Sequence, residues 1–208
     1  MSTVYKLVCS DEKNSGAEFG GAPYINTDWP KNPDGEDLYN VINIDSNIIN
    51  NHIGYDLLPT DTCISIFTTY SEEDYFLDDV TYFGDLDELD NIKSGYTKVI
   101  IKSLNKYATK DECKGRCINK NFTVSLIPYE LKDGDIPAFS FFSSQIPAGV
   151  SGLDDLLSEY YFACQLYSGD IPICNGELFG LTDANGYLLI RKELKNDGYD
   201  GLFFIQTA

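Results

Sequence analysis

Apolar positions along this chain come in short β-branched or aromatic runs separated by Gly, Pro and Asn, the pattern of strands joined by turns. Leu38-Tyr-Asn-Val-Ile-Asn-Ile44 and Cys63-Ile-Ser-Ile-Phe-Thr-Thr-Tyr70 read as two strands with a long turn-rich connection through Leu57-Leu58-Pro59. Tyr96-Thr-Lys-Val-Ile-Ile-Lys-Ser103 also fits an amphipathic helix, with Lys98, Lys102, Lys106 and Lys110 at i, i+4 spacing, but its Val and Ile content favours a strand. Phe122-Thr-Val-Ser-Leu-Ile127 is a further strand, stopped by Pro128. Tyr187-Leu-Leu-Ile190 and Gly201-Leu-Phe-Phe-Ile-Gln206 are the last two, with Asp183-Ala-Asn-Gly186 offering positive-φ residues for a hairpin turn.

One helix is expected near residues 152–163. Ser151 or Gly152 would cap it, Asp154 and Asp155 would lie in its first turn, and Leu153, Leu156, Leu157, Tyr160, Tyr161 and Cys164 would form its apolar row. Between Phe19 and Pro30, Gly and Pro surround isolated large residues, which predicts an ordered loop anchored by Tyr24 and Trp29. The expected class is α+β, mostly antiparallel β-sheet with a few helices, in one domain over residues 1–208. A faint echo between the strand-loop-strand stretches 39–67 and 162–190 adds the expectation of a duplicated β unit.

With 208 residues, 43% of them hydrophobic and 13% aromatic, the chain supports a packed core and lies far from the composition of disorder. The N-terminus lacks the basic and long apolar regions of a signal peptide, and no apolar run reaches a membrane-spanning length, so a cytoplasmic, membrane-free protein is expected. In that compartment Cys9, Cys63, Cys113, Cys117, Cys164 and Cys174 are expected as reduced thiols without a metal, since Cys113 and Cys117 alone are close in sequence and His52 is the single histidine.

Charge changes the picture most. The net charge is −18, and residues 32–92 hold no Lys or Arg. Residues 93–120 reverse the sign, with eight cations against two acids. So negative a surface repels phosphate backbones and disfavours nucleic acid as a partner. It also raises solubility and steers cationic proteins.

No catalytic constellation or cofactor motif stands out. Gly149-Val-Ser-Gly152 misses the nucleophile-elbow spacing by one, and His52 falls in an Asn-rich, turn-like stretch where it reads as an exposed loop residue. Phosphate-binding glycine motifs are absent. Asp85, Asp87 and Asp90 lack the bend glycine and closing glutamate of a calcium loop.

Glu18-Phe-Gly-Gly-Ala-Pro23, Trp29-Pro30, Val41-Ile-Asn-Ile44, Leu57-Leu-Pro59 and Ile64-Ser-Ile-Phe67 follow one another in the order of the N-terminal signature of the YwqG-like family, which this chain resembles. Leu178-Phe-Gly180, Asp183-Ala-Asn-Gly186, Tyr187-Leu-Leu-Ile190, Leu194 and Phe203-Phe-Ile-Gln206 are similar to its closing motif. The family's mid-chain leucine, glycine, tyrosine, proline and glutamine pattern has no clean counterpart beyond Ser143-Ser-Gln-Ile-Pro147. The resemblance implies a fold dominated by antiparallel sheet and, because members are associated with bacterial toxin loci, an immunity role.

The expected function is therefore non-catalytic: an immunity protein that binds a cationic toxin domain. Nuclease toxins are often basic because they hold phosphates, so an acidic inhibitor can match their charge. Glu72, Glu73, Asp74, Asp78, Asp79, Asp85, Asp87, Glu88 and Asp90 would form the charged rim, with Tyr75, Phe76, Tyr82 and Phe83 as anchors. The alternatives are a small-molecule-binding or hydrolytic domain with a carboxylate-lined cleft, and an acidic scaffold without a dedicated ligand.

Overall fold

A computed structural model describes residues 1–10, 15–25, 28–104, 122–172 and 177–207. Among the described residues ten strands form one antiparallel sheet: β1 (Ser2–Ser10), β2 (Ala17–Phe19), β3 (Tyr39–Asp45), β4 (Thr62–Thr68), β5 (Thr97–Ser103), β6 (Phe122–Leu131), β7 (Phe141–Phe142), β8 (Tyr160–Tyr167), β9 (Asn185–Arg191) and β10 (Gly201–Gln206). Their order is β10-β9-β8-β7-β1-β6-β2-β3-β4-β5. Exchanging the first five strands for the last five reverses this order onto itself, so β3-β4-β5 and β8-β9-β10 are equivalent blocks on either side of the β1–β6 pair. Each block also carries a bulge at the matching place, at Val41 in β3 and at Ala163 in β8.

The sheet curls until its two edges, β5 and β10, nearly meet. Thr97 Oγ1 donates to Phe203 O across the seam, and a Cβ at Gly201 would collide with the side chain of Val99. Ile42, Ile44, Ile64, Ile66, Leu188, Ile190, Phe203 and Ile205 fill the interior. Tyr187, Leu189, Leu202 and Phe204 point the other way and are covered by Leu153, Leu156, Tyr82 and Ile92. Burial on both faces explains why these strands read as continuous apolar runs rather than alternating ones.

The chain is therefore mostly β, a nearly closed, barrel-like antiparallel sheet, and not the expected α+β fold. The helix expected over 152–163 is instead a 3-10 turn at Leu156–Ser158 followed by β8. Apolar residues on both faces of β8 mimic the i, i+3, i+4 spacing of a helix, and Gly152, at φ 73, belongs to a tight loop against Gly84. Pro128 does not stop β6, which runs on to Leu131. It pairs with Tyr5 of β1 beyond the reach of the short β2, so its missing N–H leaves no second neighbour unsatisfied.

Two turn assignments also change. Asn185 and Gly186 lie inside β9, where a Cβ on Gly186 would strike the Phe203 ring, so this glycine is needed for space. His52 sits on α1 (Ser46–Ile53), which the Asn-rich sequence disguised. Asp45 caps it by accepting from Asn47 N and Ile48 N, Gly54 ends it in the left-handed region, and Ile49 and Ile53 bury one face. The loop before β3 is anchored as expected: Trp29 donates to Leu38 O at 2.8 Å and stands edge-on to Phe67, while Tyr24 N donates to Ser65 Oγ. No helix among the described residues is long and apolar enough to cross a membrane.

Candidate partner-binding surface

The acidic stretch is the connection between β4 and β5, and it is a folded excursion. Its two ends are tied together where Thr69 N and Thr69 Oγ1 both donate to Tyr96 O, at 2.9 and 2.8 Å. Ser71 Oγ then accepts from Glu73 N and Asp74 N, turning the chain into the short helix α2 (Leu77–Val80). Thr81 pairs with Ile205 of β10, which adds a short parallel bridge to the sheet edge. The helix α3 (Leu86–Asn91) follows, started by a capping box in which Asp85 accepts from Asp87 N and Glu88 reaches back to the backbone N–H groups of Asp85 and Phe83.

The expected anchors divide into two pairs. Phe76 and Tyr82 are buried and hold the excursion to the body, so neither is free to meet a partner. Phe76 packs edge-on against Tyr70, which packs in the same way against Tyr39. Tyr82 stands edge-on to Phe204 and donates its hydroxyl to Gly152 O at 2.9 Å, while buried Gln206 donates to Tyr82 O and Ser151 O. Tyr75 is 72% exposed and Phe83 44%, so these two, with Leu86 at 73%, are the outward apolar groups. Glu72, Glu73, Asp74, Asp78, Asp85, Asp87 and Asp90 are exposed, whereas Asp79 and Glu88 are half-buried.

Two adjoining cavities of about 620 and 430 Å³ share Tyr70, Ser71, Glu72 and Asp74. The larger lies between residues 70–77 and the turn 177–181, with Tyr75, Phe76, Leu77 and Leu181 as apolar lining and Glu177 on the far wall. The smaller continues toward Glu36 and Tyr39. Among the described residues no Lys or Arg lines either one. The walls are set by a close contact at Gly180, where a Cβ would stand 2.8 Å from Leu77 Cδ2.

Around the corner, Tyr96 donates its hydroxyl to Asp34 Oδ2 at 2.9 Å. The Asp79 carboxyl is pushed above its ordinary range by burial and by the neighbouring Asp34 and Asp78. Sequence reasoning passed over Glu177, Tyr39 and Tyr70, which are far apart along the chain and carry no shared spacing; Asp34 and Glu36 were visible only as part of the charge run.

The thiol and imidazole chemistry is muted. Cys9, Cys63 and Cys164 are free, and burial raises all three thiols, Cys63 to about 11, which keeps them protonated and weakly nucleophilic at neutral pH. His52 is exposed on α1, with Nε2 3.1 Å from Leu126 O. Cys113, Cys117, Cys174 and the cations of 106–120 lie outside the described residues. No three His, Cys, Asp or Glu side chains among the described residues come together as a metal site. No protein-family model matches this chain, and no curated protein is significantly similar to it.

Proposed function

We propose that this protein is a non-catalytic binding protein, in its most concrete form an immunity protein that neutralises a cationic toxin by tight complex formation. One observation carries the reading: an excursion with seven exposed carboxylates and no cation from 32 to 92 is stapled to the sheet at Thr69, Phe76, Tyr82 and Gln206. Holding like charges in one fixed place opposes folding, and a fixed field is what steers and orients an oppositely charged partner. The resemblance of the N- and C-terminal motifs to the YwqG-like family, with its toxin-associated members, supplies the toxin as that partner.

The test is co-expression with the product of the adjacent gene. Rescue of growth, a co-purifying complex and association that slows with added salt while dissociation changes little are the expected results. A product that neither binds nor is neutralised overturns the reading. Reversing the charges of Glu72, Glu73, Asp74, Asp78, Asp85, Asp87 and Asp90 without changing association would overturn the placement of the interface.

A second reading, a small-molecule-binding or hydrolytic domain, is favoured by the Asp79 carboxyl beside Asp34 and the Tyr96 hydroxyl, since burial and its acidic neighbours raise it and a raised carboxyl is the better matched to acid–base work. Under that reading Asp79→Asn abolishes turnover or ligand binding and leaves the toxin complex intact.

A further inference from the structure

We infer that the groove between residues 70–77 and the turn 177–181 seats an extended, arginine-bearing segment of a protein partner, an inference that rests on the binding reading above. Its shape and lining differ from those of the rest of the acidic face. Around Asp85, Asp87 and Asp90 the carboxylates stand on or at the cap of a helix with no buried residue, where Asp85 accepts from Asp87 N and Glu88 from Phe83 N and Asp85 N just ahead of the helix. In the groove, Glu72 and Asp74 on one side and Glu177 on the other flank a strip of Tyr70, Phe76, Leu77 and Leu181. A side chain that is apolar along its stem and cationic at its tip matches both features: its methylenes lie on the strip and its head reaches the carboxylates.

Tyr75 selects the kind of cation. Its ring is 72% exposed, yet its hydroxyl donates to Asp78 Oδ1 at 3.1 Å, so the face is held ready at the mouth of the groove. A planar guanidinium can stack on such a face and still direct its N–H fork to a carboxylate, which a lysine ammonium does less well. The groove is also preorganised. Leu77 fills the space that Gly180 leaves, and the Tyr39–Tyr70–Phe76 ladder, with ring centroids 5.5 and 5.8 Å apart, fixes the floor. Little ordering cost then remains for the protein on binding.

The probe is a capped, fluorescently labelled peptide of alternating arginine and leucine, with lysine and citrulline counterparts, titrated by fluorescence anisotropy at two salt concentrations. The arginine peptide is expected to bind more tightly than the lysine peptide and far more tightly than the citrulline one. Tyr75→Ala should weaken it about tenfold, with an unchanged melting temperature confirming the fold. Two double variants remove equal charge: Glu72→Gln with Glu177→Gln in the groove, and Asp87→Asn with Asp90→Asn outside it. The first pair should weaken binding about tenfold and the second less than twofold. Equal loss from both pairs, or citrulline binding as well as arginine, overturns the groove while leaving the acidic face as a steering surface. Absence of peptide binding while the adjacent gene's product still binds overturns the groove alone; absence of both overturns the groove and the binding reading together.

Discussion

The two equivalent blocks of the sheet close it in different ways. Between β4 and β5 the chain leaves at Thr68 and returns at Thr97, carrying α2, α3 and the acidic face; between β9 and β10 it needs only residues 192–200. The short connection is held by charge. Arg191, 8% exposed, makes ion pairs with Glu159 at 3.1 Å and Asp197 at 2.8 Å, and Asp200 accepts from the N–H groups of Lys195 and Asn196. The long connection is held by apolar burial at Phe76, Val80 and Tyr82, with its charges left outward. Equivalent scaffolding thus spends its carboxylates in opposite ways, inward on a cation in one block and toward solvent in the other. Carboxylates without a cation of their own are the ones available to a partner.

The comparison breaks most visibly at Tyr82. Replacing it with alanine removes a buried ring and its bond to Gly152, which should cost about 3–5 kcal/mol and lower Tm by roughly 10 °C in a chain of this size. Arg191→Ala should lower Tm less, because Glu159 and Asp197 are each over 40% exposed and rehydrate when the guanidinium is lost, while buried Asp200, 3.7 Å from it, keeps the Lys195 and Asn196 N–H groups. Thermal unfolding of both variants checks the ranking; an Arg191 effect as large as that of Tyr82 would mean that both connections are held mainly by charge.

Next in size is the seam where the blocks meet. Gly201→Ala places a methyl against Val99 and should cost about 1–3 kcal/mol. Adding Val99→Ala vacates that space, so the double variant should lose less than the two single losses combined. Additive losses, measured by denaturant unfolding, would show that β5 and β10 do not press on one another at this point. Smaller again is Asp85→Ala, which removes the N-cap of α3 and should cost about 1 kcal/mol. Glu73→Gln, an exposed carboxylate whose side chain makes no hydrogen bond or ion pair with the described residues, should stay within about 0.5 kcal/mol of the parent.

The strands were legible where length and β-branching spoke together, as in 39–45, 62–68 and 97–103, and the charge run drew attention to the connection between β4 and β5. What failed in each case depends on distant residues. β8 looked helical because a strand buried on both faces puts apolar side chains at every spacing, and only its neighbours β7 and β9 decide the matter. Tyr75 and Phe76 are adjacent and chemically similar, yet one faces water and the other Tyr70; Tyr82 and Phe83 divide likewise because Phe204 and Gly152 lie beneath the first. The far wall of the groove is brought to Leu77 by the packing of Gly180, which no local pattern announces.

The smallest effect gives a sharp contrast in sign. In the short connection, the Asp197 carboxyl is held below its usual range by the Tyr199 N–H and then by Arg191. A carboxyl whose folded pKa is depressed contributes stability that is present above its unfolded value, near 3.9, and lost as pH falls below it. In the long connection, the Asp79 carboxyl is raised by burial, Asp34 and Asp78, so its ionised form opposes folding at neutral pH and the penalty fades as pH falls toward the same value. Asp197→Asn should therefore lower Tm at pH 7, with the difference vanishing only below about pH 4. Asp79→Asn should raise Tm at pH 7, with the gain already shrinking above that point as the parent takes up its proton. Melting curves from pH 7 down to 3 on the two variants check both signs. If Asp79→Asn also lowers Tm at pH 7, the Asp79 carboxylate is compensated in the folded protein despite its burial beside Asp34 and Asp78, and the contrast in sign between the two connections fails.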